Sequence, residues 1–159
     1  MKTMFLLVAV ILATAGAAQA GNPIQSSPVV VKIADPPTFL VPTPHCPAER
    51  SHVQLLSPDG HQLGTSLLCV QTANFDESTA TFTEIGTLTL YVPGGILETA
   101  VTIIDDFTGF PVLTQTLTGS VTGGSGIYLG TTGSITGGGT ILFGTDGPLP
   151  DLTFTVALD

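Results

Sequence analysis

Between Thr118 and Thr140 the chain reads TGSVTGGSGIYLGTTGSITGGGT, with nine of the nineteen glycines, no charge, and one phrase twice, at Thr118–Gly124 and Thr132–Gly138. Glycine reaches positive φ without steric cost, so paired glycines mark turns, bulges or close backbone approach. The Thr, Val, Ile and Tyr residues between them favour a pleated, half-buried surface. The stretch is therefore expected to hold tight turns between short strands, around Leu129–Ile135 and Thr140–Phe143. Gly124, Gly126 and Gly130 give G-x-G-x-x-x-G, not the dinucleotide-binding G-x-G-x-x-G, and no helical pattern follows. A calcium-binding glycine repeat would need an aspartate in each turn. A flexible linker would lack regularly spaced apolar residues.

The rest of the chain extends the β reading. Turn signals at Pro58-Asp59-Gly60 and Pro93-Gly94-Gly95 separate apolar runs over His52–Ser57, Thr65–Thr72, Thr81–Val92 and Ile96–Ile104. Val112–Thr118 is a further strand. The last strand alternates, with Leu152, Phe154, Val156 and Leu158 on one face and Thr153, Thr155 and Ala157 on the other. Gly147-Pro148-Leu149-Pro150 is expected to break the ladder before it. About eight strands at this spacing predict an all-β barrel or sandwich.

The first twenty residues read as a signal peptide: Lys2, an apolar run from Met4 to Ala13, and a small-x-small site at Ala18-Gln19-Ala20. Cleavage there leaves 139 residues, enough for one domain with a core. Residues 21–47 carry seven prolines and read as an extended arm, in which Val29–Ile33 supplies at most an edge strand. Residues 48–159 are the expected single barrel domain. Beyond the leader, Lys32 and Arg50 face twelve acidic residues, a formal charge of −10. Such a surface excludes nucleic-acid binding through phosphates and disfavours anionic lipid, so no membrane association is expected after cleavage. Cys46 and Cys69 are the only cysteines. Export makes a disulfide between them the default, closing a loop of about 24 residues worth roughly 3 kcal/mol.

With the strands in place, Thr122-Gly123-Gly124-Ser125-Gly126-Ile127-Tyr128, followed by Gly130 and Gly133, resembles the ITGGSGIFxGAxG signature of the plant allene oxide cyclases. A looser GGTGxYxGAxG recurs in the dirigent proteins. Gly64-Thr65-Ser66 followed by Cys69-Val70 is similar to the cyclase segment GITAGxCV. The resemblance spans roughly residues 52–158. It implies an eight-stranded antiparallel β-barrel, a homo-oligomer, and an apolar cavity that takes a small apolar or amphipathic molecule and steers its cyclisation or coupling, without a cofactor. It also places Cys69 near the cavity. The cyclases' first-strand glutamate has no counterpart in Val29–Pro47, and the dirigent catalytic residues match no position.

Few residues carry chemistry. By alternation Glu84 shares a face with Phe82, Leu88 and Leu90, which with Phe154 are the expected cavity lining. It is either a surface position at the barrel mouth or a buried catalytic acid with a raised pKa. Tyr128, with Tyr91 and Phe110, is expected at a cavity mouth or in plain core. Glu98, opposite about Leu90, would lie about 20 Å from Glu84, too far for a glycosidase pair. Asp105 and Asp106 read as turn formers in a loop running to Pro111. His45, Cys46, His52, His61 and Cys69 match no zinc-finger spacing, so no metal is expected, and no G-x-S-x-G elbow supports a hydrolase. The rival to a ligand-binding barrel is a non-catalytic structural or adhesion module whose interior is filled by side chains.

Overall fold

The computed structural model describes residues 28–145 and 147–159. The leader at residues 1–20 and the start of the arm at 21–27 lie outside the described residues. Nine strands follow in order: β1 Val29–Ile33, β2 Thr38–Phe39, β3 Glu49–Leu56, β4 Gln62–Asp76, β5 Thr81–Val92, β6 Gly95–Asp106, β7 Val112–Gly126, β8 Gly133–Gly144 and β9 Gly147–Leu158. From β3 to β9 each strand pairs antiparallel with the next, and β1 closes the ring by pairing with β9 over Val29–Ile33 and with β3 at Lys32↔Leu56. The result is a closed eight-stranded antiparallel β-barrel, to which β2 adds a short ninth strand along β3.

Inside and outside follow the two-residue period of the strands. On β5, Glu84, Gly86, Leu88, Leu90 and Val92 are buried, and the intervening residues are not. On β9, Leu152, Phe154 and Val156 point inward. Outward positions are rich in threonine: Thr102, Thr118, Thr136 and Thr155 pair in one row across β6, β7, β8 and β9. Threonine suits this place because its branched Cβ favours the strand while its hydroxyl faces water. Inside, Thr99 satisfies its hydroxyl by donating to the Leu88 carbonyl at 2.7 Å.

One end of the barrel is solid. Val31, Leu55, Leu90, Leu97 and Ile135 are fully buried there. Tyr128, on the β7–β8 connection, folds back over them at 1% exposure and donates its hydroxyl to the Pro93 carbonyl at 2.8 Å. A phenol fits this place because its ring is apolar and its one polar atom has a partner.

The glycine stretch is less a set of turns than expected. Its first part continues β7 to Gly126, and the two short strands foreseen around Leu129–Ile135 and Thr140–Phe143 are one strand, β8, interrupted by no turn. Gly126, at φ +65°, starts the one reversal. Gly137 serves close approach: a Cβ there would press into the Thr153 carbonyl oxygen and the Phe154 Cα across the strand pair, with Phe154 Cβ 2.6 Å away. Gly119, Gly133, Gly138 and Gly139 are likewise placed where a Cβ would press into the backbone of the neighbouring strand.

Three boundaries differ from the sequence reading. The arm is not separate from the barrel, because β1 within it is the closing strand, and the strand expected from His52 begins earlier, at Glu49. The last strand starts at Gly147, with Pro148 and Pro150 inside it, paired to Phe143 and Ile141. Proline is tolerated there because β1 meets β9 only from Leu152 onward, so the proline residues stand on a locally unpaired edge. Asp105 and Asp106 belong to β6, not to a loop.

The Cys46–Cys69 disulfide is present. It lies on the outer face, since Cys69 pairs with Arg50 and Thr87 while its neighbour Leu68 pairs with the inward Ser51 and Leu88. It ties the segment between β2 and β3 to the wall. Replacing both cysteines by serine is expected to cost about 3 kcal/mol of unfolding free energy, measured by urea denaturation at unchanged oligomeric state. Gly137→Ala is expected to cost on the order of 1–3 kcal/mol through overpacking against the Thr153–Phe154 backbone, read as a lowered thermal midpoint.

Candidate functional site

The end opposite Tyr128 is open. Two interruptions of the wall create the opening. Asp35-Pro36-Pro37 separates β1 from β2, and β2 pairs with β3 alone. Across from it, the first residues of β9 have β8 on one side and no strand on the other. The gap is flanked by Pro37 and Phe39 on one side and by Pro148 and Pro150 on the other, and all four line a cavity of about 300 Å³. Prolines on both sides lack the N–H groups that would zip the seam shut.

The walls are mainly apolar. Phe82, Leu88, Ile103, Leu117 and Phe154 contribute from β5, β6, β7 and β9, and Phe107 and Phe143 stand toward the rim. The β4–β5 hairpin projects beyond β3 on this side, and Phe75 at its tip meets Phe107 edge-on with centroids 6.1 Å apart.

Against this apolar lining stand three carboxyl groups, Glu49 from β3, Glu84 from β5 and Asp105 from β6. Glu84 is 6% exposed and Asp105 8%. They are diagonal neighbours, Phe82 pairing with Asp105 and Glu84 with Ile103, a spacing of roughly 7–8 Å. Burial raises the Glu84 carboxyl from 4.5 to about 7, and the nearby Glu49 and Asp105 push it the same way. Asp105 is also raised, again chiefly by burial, with Glu49 adding to it and the hydrogen bond from Gln115 opposing. Gln115 Nε2 donates to Asp105 Oδ1 at 2.8 Å from β7. Ser51 and Ser66 add hydroxyls to the lining, and Ser66 Oγ is buried without a hydrogen-bond partner. Among the described residues, no Lys, Arg or His lines the cavity.

The structure brings together Phe82, Glu84, Leu88 and Phe154 in this lining. It separates the other expected members. Leu90 is fully buried in the core toward the closed end. Tyr128 caps that closed end and meets no mouth. Cys69 faces outward, one residue out of phase with Leu68, and is held in the disulfide. Tyr91 and Phe110 are exposed, Phe110 stacking on Phe143 outside the cavity. Glu98 pairs with Thr89 and points to solvent, because the turn is two residues long and shifts the register by one. Among the described residues, no group of three His, Cys, Asp or Glu could hold a metal ion, and Cys46 and Cys69 are consumed by their bond.

Sequence reasoning missed Glu49, Asp105 and Gln115. Asp105 carried a usable signal: Val101, Ile103 and Asp105 continue one alternation, and only the neighbouring Asp106 and Gly109 suggested a turn. Glu49 precedes the first apolar run and had no such signal.

Because the raised Glu84 favours its protonated form, its contribution to folding is full below about pH 4.5 and is lost as pH rises through about 7. Asp105 acts in the same direction. Thermal melts of the wild type are expected to fall across that window, and Glu84→Gln to flatten the fall and melt higher at pH 8. A wild-type midpoint that rises from pH 5 to 8 would contradict the burial of this carboxyl.

Set against protein-family models, curated proteins and solved structures, the chain finds no match in any of the three.

Proposed function

We propose that this chain is a secreted binding barrel that takes a small apolar or amphipathic molecule into the open end of its β-barrel. The observation that carries the reading is the cavity of about 300 Å³ with mostly apolar walls and a few polar side chains among them. Ligand pockets start at about this size and have this composition. The rival structural module needs an interior filled by side chains, and this barrel holds a cavity toward one end. The disulfide supports an oxidising compartment, in line with the leader, and the threonine-rich outer face suits a barrel in water. In this reading the chain is a relative of the allene oxide cyclase and dirigent barrels, and a homo-oligomer like them.

A catalytic extension rests on Glu84. A carboxyl poised near pH 7 in an apolar pocket exchanges protons readily. Held against a folded substrate it would steer a cyclisation or isomerisation, with the walls restricting conformation.

Native mass spectrometry of the protein from its own secretion, followed by small-molecule extraction, tests the binding reading. One apolar molecule per chain is expected, lost on denaturation. Leu88→Phe, which adds bulk to the wall, is expected to weaken uptake of that molecule by about tenfold or more. An empty protein that also takes up nothing from a library of lipids and phenols would leave the structural module standing.

A further inference from the structure

The cavity's charge is lopsided in a way that selects among small molecules. Glu49, Glu84 and Asp105 reach it from three strands, and among the described residues no basic side chain lines it. The basic residues of the described barrel wall point away: Lys32 on β1 pairs with Asp151 at 3.2 Å on the outer face, and Arg50 on β3 sits opposite Cys69. Ionised carboxylates accept hydrogen bonds and donate none, and burying them without a countercharge is costly. Among the described residues, Gln115 is the side chain that donates to this trio. A cation would offset the remainder.

A metal ion is a poor fit, because no three of these groups converge on one point among the described residues. Carboxyls spread over diagonal positions suit a larger, organic cation. Two further features point the same way. Five of the chain's eight phenylalanines, Phe39, Phe82, Phe107, Phe143 and Phe154, line this one cavity. Aromatic faces attract ammonium groups through the ring quadrupole. Ser66 is completely buried, lines the cavity, and leaves its hydroxyl without a partner. Buried polar atoms are rarely left so, and a ligand reaching it would supply the missing bond.

From this arrangement we infer that the cavity binds an organic ammonium, a small molecule with an apolar body and one cationic amine head. The head sits among Glu84, Asp105 and Glu49, and the body lies against the phenylalanine rings. The inference rests on the ligand-binding reading above and narrows it. Anionic molecules are disfavoured, since a carboxylate head would meet three like groups.

Three aromatic probes of similar size and different charge separate the outcomes by calorimetric titration: benzyltrimethylammonium, 2-phenylethanol and phenylacetate. The first keeps its charge at every pH, so any pH dependence belongs to the protein. At pH 8 the cation is expected to bind tighter than the alcohol by about tenfold or more, and phenylacetate weakest. Between pH 8 and 5 affinity for the cation should fall as the carboxyls facing it take up protons, while that for the alcohol stays level. The double variant Glu84→Gln/Asp105→Asn should bring the cation down to the alcohol's affinity. Unchanged alcohol binding in that variant shows that its cavity is intact. Equal binding of cation and alcohol, or tightest binding of phenylacetate, would overturn the ammonium assignment and leave the cavity reading in place. Binding of none of the three would overturn both.

Discussion

Everything in this barrel depends on how one seam closes. Seven strands follow one another by simple connections, and such a sheet has two free edges until an eighth strand joins them. β1 does so over five residues against β9, with a single pairing to β3. Each free edge would otherwise expose unpaired N–H and C=O groups. The closure is partial by design of the sequence: prolines on both sides stop it short of one rim. The same seam therefore gives the molecule a closed core at one end and an entrance at the other.

That division sorts the polar inventory. At the closed end polar atoms have protein partners, as with Tyr128 on the Pro93 carbonyl and Thr99 on the Leu88 carbonyl. At the open end they do not all have them, and two carboxyls are pushed toward their neutral forms by burial. Such an arrangement works against stability, since an apolar residue at position 84 would serve the core better. A barrel of eight strands has an interior just wide enough for side chains or for one small ligand. This one is filled by side chains toward one end and holds a cavity toward the other.

The all-β class, most strand locations, the disulfide pair and the inward face of β5 and β9 were legible in the sequence, because alternation and turn chemistry are local. What misled was equally local. Prolines at 148 and 150 signalled a break because proline removes a ladder donor, yet on an unpaired edge no donor is needed. The repeated glycine phrase signalled turns because glycine permits them, yet Gly137 is needed because the β9 backbone at Thr153 and Phe154 comes too close for a Cβ. Asp105 beside Asp106 looked like a turn pair, yet the strand ran on and sent the two to opposite sides of the wall.

The sequence by itself determined which faces of the strands are apolar, where most of the hairpins reverse, and that twelve acids outnumber the few bases. It could do so because each of these is set within a few residues of chain. Only the tertiary structure decided that Glu49, Glu84 and Asp105 share one space, that Cys69 and Tyr128 do not, and that the proline arm is part of the wall. Those facts depend on which strands meet at closure and on a register in which one residue of shift reverses every side chain. No local pattern carries that information.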